Sequence, residues 1–467
     1  MTEERELRLH EATLALLDRV GVRIESPAAL ALFAEGGVRL DRSTLRVFPS
    51  AEDVSRALAS APKTFRLYGR RTENPLVIGG DEVYVMSGGA SVRVLTLDGR
   101  YESATWEHLH QFNRLLDFLP NIHVLLNQVD VPGEAKGFYR RMAAEMLIDT
   151  PKPPCFQAGD ADDVAAMLEM GVAIRGSRRA LADKPVFMTG TNAEPPLCLP
   201  KAAAEIQIAA SRAGIACGIG DYIMMGITGP VTLAGALVQR NAVQLTALVL
   251  SQLAAAGSPF YYGAASSSAN MRTLDPIMAN PHAARVIRAS AQLGRFYGLP
   301  VVSLAATDAH AADAQASFEI GATFAAALSG GAHLIQGPTS MMDQMMLSSF
   351  AQAVIDNDGV GYLLAARGQF EISDETLALD AIEEVMSDPT LAEFKFAMHP
   401  HTARHFREEL WEPLVFSRES FTAWRQAGSR SIVERAESLA RRVLAEHRPE
   451  PLAEEVAREI RRIAGVA

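Results

Sequence analysis

Polar side chains follow a series of short apolar runs, and these positions are where the chain could do chemistry. Residues 301–306 (VVSLAA) are apolar, and Asp308 and His310 come soon after them, an acid and an imidazole that can move protons or bind a polar substrate. Asp221 follows another such run, and the whole set is polar but poor in charge. The remaining polar residues at these positions are Asn127, Gln128, Gln157, Thr189, Asn192, Tyr222, Tyr262, Ser266 and Gln336.

Several of these residues also have a purely structural interpretation. Asp308 could cap the helix that follows it, because Asp, Ser and Thr are the usual N-caps. His310 could lie on the surface of that helix, and Asp221 could form a structural ion pair. Tyr261 and Tyr262 alternate along one strand, so at most one of them faces the inside of a barrel.

The sequence predicts no metal centre. Two His-x-His triplets occur, at residues 108–110 and 399–401. The first lies in a predicted helix, where side chains at i and i+2 point apart, and the second lies in the C-terminal tail. Neither a metalloprotease HExxH nor a glycine-rich nucleotide fingerprint is present.

Eight apolar runs alternate with helix patterns, and these elements must position the polar residues. Strands that alternate with helices predict parallel pairing, and eight such units predict a closed (β/α)8 TIM barrel of the α/β class. In such barrels the functional residues sit at the carboxyl ends of the strands. The eight runs are residues 83–89, 122–128, 154–159, 186–190, 216–221, 260–265, 301–308 and 332–337.

Three parts are expected along the chain. Residues 1–80 form an α+β N-terminal elaboration, residues 81–372 form the barrel, and residues 373–467 form a helical extension packed on the barrel. Residues 91–101 are expected as a hairpin arm beside the first barrel strand. The methionine-rich stretch 341–346 is expected to pack on the barrel or to meet a partner.

Bulk composition excludes some classes of protein. A net charge of -11 over 467 residues argues against nucleic-acid binding. The three widely spaced cysteines are typical of reduced intracellular thiols. The charged N-terminus is unlike a signal peptide, and polar residues interrupt the apolar stretch 231–256, which is therefore predicted as a buried barrel helix. We expect a cytoplasmic protein with no membrane or nucleic-acid partner.

Several long segments resemble the trimethylamine methyltransferase (MttB) superfamily, in its non-pyrrolysine, glycine betaine methyltransferase-like branch. The resemblance covers nearly the whole chain, and no single motif carries it. The segments include GITGPVTLAGALVQRNAVQL (226–245), SPFYYGAASSSANMRTLDP (258–276), TDAHAADAQASFE (307–319), AVIDND (353–358) and HPHTARHFREELWEPLVFSR (399–418).

The resemblance implies a methyltransferase with a TIM barrel. Such an enzyme moves a methyl group from a methylated amine to the Co(I) of a separate corrinoid protein, and a homo-oligomer is plausible. Residues 308–313 (DAHAAD) begin like a corrinoid-binding motif but have Asp313 where that motif has glycine, so the chain itself is expected to bind no cofactor. Two alternatives stay open: another acceptor such as tetrahydrofolate, and a non-catalytic betaine-binding protein.

A quaternary amine would explain why so few charges stand at the strand ends. Its leaving group is already a neutral tertiary amine, so the enzyme need only orient the substrate and exclude water. We assign Asp308 and His310 as catalytic candidates. Aromatic rings and a carboxylate bind a quaternary ammonium, and polar donors bind a substrate carboxylate. The substrate-binding candidates are Gln157, Asn192, Asp221, Tyr222, Tyr262 and Gln336.

The chain departs from the family pattern at several charged positions. The family often has acids where this chain has Val243 and Ala351 and near His282, and often has lysine at the position of His310. These departures indicate a substrate different from that of the well-studied members, or another chemistry.

Overall fold

The computed structural model describes residues 1–133, 137–264, 266–387 and 395–466. The N-terminal part combines three helices with five short strands. Ser26 and Ser50 each accept a hydrogen bond from the backbone at the start of the following helix, which is why those two helices begin where they do. In chain order the elements are α1 (Glu3–Arg19), β1 (Val22–Ile24), α2 (Pro27–Glu35), β2 (Arg39–Asp41), β3 (Arg46–Phe48), α3 (Ala51–Ser60), β4 (Phe65–Leu67) and β5 (Leu76–Ile78).

The central part alternates strands with helices, as the apolar runs predict. In chain order it contains β6 (Tyr84–Met86), β7 (Arg93–Leu95), β8 (Tyr101–Ser103), α4 (Trp106–Phe118), α5 (Phe138–Asp149), β9 (Cys155–Phe156), α6 (Ala161–Arg175), α7 (Arg178–Asp183), β10 (Met188–Asn192), β11 (Cys198–Leu199), α8 (Lys201–Arg212), β12 (Cys217–Gly220), β13 (Met224–Met225), α9 (Leu233–Ala254), β14 (Phe260–Ala264), β15 (Ser267–Ala269), β16 (Pro276–Ile277), α10 (Pro281–Phe296), β17 (Val301–Leu304), α11 (Ala314–Ser329), β18 (Leu334–Gln336), β19 (Leu347–Ser349) and α12 (Phe350–Arg367), with a 3₁₀ turn at Asp343–Met345.

Parallel strands form a closed ring at the centre of this part. Seven strands pair in the order β6-β18-β17-β14-β12-β10-β9. Residues 122–128 close the ring, because Val124 bridges Met86 of β6 and Leu125 bridges Pro154 next to β9, both in parallel. Each of the eight predicted runs thus supplies one strand position, and the TIM-barrel prediction is confirmed. The run at 260–265 ends on Ala265, which lies outside the described residues.

A small hairpin lies beside the first barrel strand, as predicted. β7 and β8 pair in antiparallel fashion, and β19 adds to β7 in parallel. This arm covers the side of the barrel where residues 340–346 cross its mouth.

The N-terminal part is joined to the barrel at two places. β1 pairs in parallel with β11, and α1, α2 and α3 pack against α9. The β4–β5 hairpin lies against the interior of the barrel, where Phe65, Leu67 and Ile78 join a buried cluster with Met86 and Tyr261.

Helix α9 is long and apolar enough to cross a membrane, with 22 residues, but 78% of its most apolar window is buried inside the protein. Within the described part of the chain it alone has this length and composition. It packs against α1, α3, α8 and α10, which agrees with its prediction as a barrel helix.

Helix α12 carries three consecutive buried polar residues, and each one anchors a different segment. Asp356 accepts a hydrogen bond from the Ser340 backbone N–H at 2.6 Å. Asn357 accepts one from the Asn121 backbone N–H at 3.1 Å, and Asp358 accepts from the backbone of residues 414–416 at 2.7–3.1 Å. One turn of helix therefore ties the barrel mouth, the loop before residue 122 and the C-terminal segment together.

The C-terminal part is helical. Its last two helices pack on the outside of the barrel, the first on α12 and α4 and the second on α5 and α6. The elements are α13 (Asp374–Leu377), α14 (Leu379–Ser387), a 3₁₀ turn at Lys395–Met398, α15 (Pro400–Glu409), α16 (Phe421–Gln426), α17 (Ile432–Glu446) and α18 (Glu454–Ala464).

Candidate functional site

A cavity of about 130 Å³ opens at the carboxyl ends of the barrel strands. This volume is below the roughly 300–1,000 Å³ of pockets for drug-sized ligands, so the cavity fits a molecule of few atoms. Throughout the described residues, no Asp, Glu, Lys, Arg or His side chain lines it. The lining side chains that matter below are Met86, Cys155, Gln157, Thr191, Asn192, Tyr222, Tyr261, Val302, Gln336 and Met345.

Four of the predicted substrate-binding residues come together in this cavity. Gln157, Asn192, Tyr222 and Gln336 follow four different strands and converge on one space because those strands are parallel neighbours in one ring. Their three amides and one hydroxyl have no hydrogen-bond partner within the described part of the chain. These polar groups are therefore available to a ligand.

Tyr261, and not the predicted Tyr262, faces the cavity. Tyr261 donates a hydrogen bond to the Thr189 carbonyl at 3.0 Å from inside the barrel. Tyr262 points outward and donates to Asn241 of α9 at 3.1 Å. Since it cannot reach a ligand in the cavity, we replace Tyr262 by Tyr261 as a substrate-binding candidate.

Glycines on the neighbouring strands make room for the ring of Tyr261. A Cβ at Gly218 would overlap that ring, and a Cβ at Gly190 would overlap its hydroxyl. A large aromatic residue therefore fits at this depth only because both neighbouring positions carry no side chain.

Asp308 and His310, the predicted catalytic pair, lie outside the cavity lining and hold loops in place. Asp308 accepts hydrogen bonds from the backbone N–H groups of Met278 and Ala279, at 2.9 and 3.1 Å. It does not cap the following helix, because Asp313 does so. His310 is 72% exposed, and its Nδ1 lies 3.0 Å from an Asp343 carboxylate oxygen.

Asp343 anchors a strained loop that carries Met345 into the cavity. Asp343, Gln344 and Met345 all have positive φ angles, which cost non-glycine residues about 1–3 kcal/mol each and persist only where the surroundings enforce them. Contacts of Asp343 with His310 and Arg93 supply part of that enforcement. Two of the four methionines in the predicted methionine-rich stretch, Met341 and Met342, are buried and pack on the barrel, whereas Met345 lines the cavity and Met346 is 40% exposed.

Asp221 is buried behind the cavity wall, with only 1% of its surface exposed. Both carboxylate oxygens lack a hydrogen-bond partner among the described atoms. Burial raises the pKa of Asp221 to about 7, and the nearby Arg240 guanidinium only partly opposes this. Arg240 itself donates to the backbone carbonyls of Asp221 and Gly263, so it fixes the end of β12 against β14.

Side chains that could ionise in the cavity remain neutral. Burial raises the pKa of the Cys155 thiol to about 12 and the pKa of Tyr261 well above its usual value. The pKa of Tyr222 is raised for the same reason. The site can bind and orient a small molecule, but the described lining supplies no general acid or base near neutral pH.

The other strand-end residues serve the scaffold. Gln128 donates to the Thr339 carbonyl and to Ser348, Thr189 donates to the Phe156 carbonyl, and Asn127 donates to Asp130. Val243 and Ala351 are buried in α9 and α12, outside the cavity lining.

Comparison with known proteins identifies the family. The sequence model of the family described as trimethylamine methyltransferase (MTTB) matches residues 1–464. This chain belongs to the trimethylamine methyltransferase family. The family predicted from the sequence segments is thus confirmed.

Relatives within the trimethylamine methyltransferase family carry two kinds of name. Trimethylamine methyltransferase MttB of Desulfitobacterium hafniense (strain DSM 10664 / DCB-2) is 31% identical, with 99% of this chain and 92% of the relative covered. Glycine betaine methyltransferase of Desulfitobacterium hafniense (strain Y51) is 28% identical, with 98% and 94% covered. Two differently named relatives are thus about equally similar to this chain.

A solved structure supports the fold. The crystal structure of the hydroxylamine MtmB complex superposes with a TM-score of 0.50 at 11% sequence identity, covering 95% of this chain and 92% of the other. At that identity the likeness concerns the fold alone.

Proposed function

We propose that this chain transfers a methyl group from a betaine-like quaternary amine to the Co(I) of a separate corrinoid protein. The observation that carries the proposal is the small uncharged cavity, where two tyrosine rings stand beside three amides that have no partner among the described residues. The names of the relatives support methyl transfer from trimethylamine or glycine betaine.

The cavity suits a zwitterion. Aromatic rings attract a quaternary ammonium, which cannot donate a hydrogen bond, and Tyr222 and Tyr261 provide two such rings. The amides of Gln157, Asn192 and Gln336 can donate to a carboxylate. Because the two charges of a betaine cancel, it needs no charged side chain in the wall.

The lack of a cavity acid or base favours a quaternary substrate. A corrinoid presented by a partner would supply the nucleophile for the methyl carbon. When the C–N bond of a quaternary amine breaks, the electron pair stays on nitrogen and a neutral tertiary amine leaves, so no proton is required. From neutral trimethylamine the leaving group would be an amide anion, so trimethylamine must react as its ammonium ion. The described cavity lining has no carboxylate to balance the net positive charge of that ion.

The chain's own contribution is orientation and exclusion of water. The amides would fix the carboxylate end, the two rings would hold the methylammonium end, and Met345 would cover it. The cavity, at about 130 Å³, has no room for a corrin macrocycle, which supports an acceptor presented at the mouth by a partner.

A thermal-shift comparison of five ligands tests the substrate class. We expect glycine betaine to raise the melting temperature most, because a ligand that binds the native state stabilises it. Dimethylglycine tests whether the third methyl group is needed, and choline tests whether the carboxylate is needed. The carbon isostere 3,3-dimethylbutanoate tests whether the positive charge is needed. Trimethylamine tests the alternative substrate. If 3,3-dimethylbutanoate stabilises the chain as strongly as glycine betaine, recognition of the ammonium is disproved.

A turnover assay tests the acceptor. With the ligand found above, we expect demethylated amine only when a reduced corrinoid protein is added. Formation of methyltetrahydrofolate in a corrinoid-free mixture would instead identify tetrahydrofolate as the acceptor. Tight binding with no product under either condition would identify a binding protein.

A further inference from the structure

A group of ligand-type side chains lies far from the cavity lining, in the C-terminal helices. His401 and His405 stand one turn apart on α15, which places them on the same face of that helix. Glu375 of α13 lies beside them, and the Nδ1 or Nε2 atoms and a carboxylate oxygen of the three residues all lie within 4.8 Å of one another. None of the three lines the cavity.

Both histidines already point at the same residue. His405 Nε2 lies 2.9 Å from a Glu375 carboxylate oxygen, and His401 Nε2 lies 3.2 Å from the Glu375 backbone carbonyl. The two imidazole rings are 4.5 Å apart, centroid to centroid. The Arg404 guanidinium also donates to that carboxylate oxygen, at 2.8 Å. Two imidazoles and one carboxylate therefore converge on one point.

The C-terminal helices around these residues have little core of their own. In α13, α14 and α15, only Ala381 and Val385 are buried, among the residues the structure describes. Leu379, Met386 and Met398 are 68%, 70% and 83% exposed. Helices of 4, 9 and 10 residues are marginal without packing, and small units with little core are commonly held together by a bound metal.

We propose that Glu375, His401 and His405 bind a divalent transition metal of the zinc class, which ties α13 to α15. Two histidine nitrogens and one carboxylate oxygen form a common zinc ligand set, with water in the fourth position. At metal–ligand distances of about 2.1 Å, tetrahedral ligand atoms are roughly 3.4 Å apart. The ligand atoms already lie within 4.8 Å of one another, and rotation of the three side chains on metal binding would bring them to that spacing.

Sequence reasoning missed this group because it looked at His399-Pro400-His401. The useful spacing is His401-x3-His405, and the third ligand comes from a helix about 25 residues earlier, which only the fold brings near. The sequence predicts no metal centre anywhere in the chain, so a metal bound at this group would overturn that prediction.

Zinc titration of the full, chelator-treated chain tests the proposal. We expect one Zn²⁺ per chain by calorimetry, and a visible ligand-field band when Co²⁺ is used instead. His401→Ala, His405→Ala and Glu375→Gln should each weaken binding by more than the roughly 10–100-fold that loss of an outer-shell partner costs. Zn²⁺ should also slow proteolysis within residues 370–412 of the wild-type chain.

Two further variants make the test specific. His447→Ala removes a histidine that pairs with Asp117 at 2.8 Å without a second imidazole, and it should bind Zn²⁺ like the wild type. Arg404→Ala removes the guanidinium that competes for Glu375 at 2.8 Å, and it should bind Zn²⁺ more tightly. If the wild type does not bind Zn²⁺, or if the three ligand variants bind as tightly as the wild type, these residues form an ion-pair network only.

Discussion

The side chains inside the barrel mouth differ from those just outside it. Inside, Gln157, Gln336, Tyr222 and Tyr261 are uncharged, and the two amides have no partner among the described residues. Outside, Asp308 binds the backbone of a neighbouring loop and His310 pairs with Asp343. Charged side chains therefore hold the rim of the barrel, while the space for a ligand stays neutral.

This division has a physical reason. A buried charge without a partner is costly, so charged groups near the mouth either pair or bind backbone N–H groups. A neutral cavity avoids that penalty, and its aromatic rings and amides still attract the two ends of a zwitterion. Asp221 is the exception, since it is buried and its carboxylate lacks a described hydrogen-bond partner.

Adding a side chain inside the cavity should have the largest effect. Gly218→Ala places a methyl group against the ring of Tyr261, so we expect a loss of about 1–3 kcal/mol in unfolding free energy and no thermal shift by glycine betaine. The matched control is Gly359→Ala in α12. Outside the helix's own backbone, no described atom lies within 4 Å of the added methyl group, so this variant should be more stable than the wild type by about 0.5–1 kcal/mol. Wild-type ligand binding by Gly218→Ala would show that Tyr261 does not shape the site.

Removing a cavity amide should come next. Gln336→Leu loses a hydrogen bond to a charged ligand group, worth about 1.5–3 kcal/mol, so glycine betaine should bind roughly 10–150-fold more weakly by calorimetry. Choline has no carboxylate, and its affinity should be the same for the variant and the wild type. An equal loss for both ligands would assign Gln336 to packing.

The pH dependence of stability should reveal the buried acid behind the wall. Asp221 has a pKa of about 7 in the fold against 3.8 ordinarily, so between these values the native state holds a proton that the unfolded state has lost. Stability then falls as pH rises through this window, by up to about 1.4 kcal/mol per pH unit from this group. Urea unfolding of Asp221→Asn at pH 5 and pH 7 should show that slope removed. An unchanged slope would mean that Asp221 titrates as it does when unfolded.

Removing a charged contact at the rim of the barrel should have the smallest effect. His310→Ala breaks one exposed pair with Asp343, while Arg93 still holds that carboxylate, so we expect less than about 1 kcal/mol of stability lost. Turnover in the corrinoid assay should stay within about threefold of the wild type. A loss beyond a hundredfold would return His310 to the catalytic role that the sequence predicted.

The strands were predictable because their signal is local. Each buried strand is a continuous apolar run that ends in polar residues, and eight such runs allow few other folds. The direction of side chains was harder, since alternation shows that Tyr261 and Tyr262 face opposite sides but not which one faces inward. Gly190 and Gly218 held that information, because a large inward ring needs neighbours without side chains.

The roles of Asp308 and His310 depended on contacts between distant segments. Asp308 meets residues 278 and 279, and His310 meets residue 343, and nothing in the run of residues after β17 indicates either partner. An acid and a histidine at a strand end therefore look catalytic until the loops are placed.

The polar triplet of α12 separates the residues that hold the scaffold from those that face the ligand. Asp356, Asn357 and Asp358 tie three segments together and leave the ligand space untouched. A variant whose ligand is changed by substitution of Gln157 or Gln336 would still need all three anchors. Substitutions in the triplet should therefore cost stability whatever the ligand, whereas substitutions of the mouth amides should change which ligand binds.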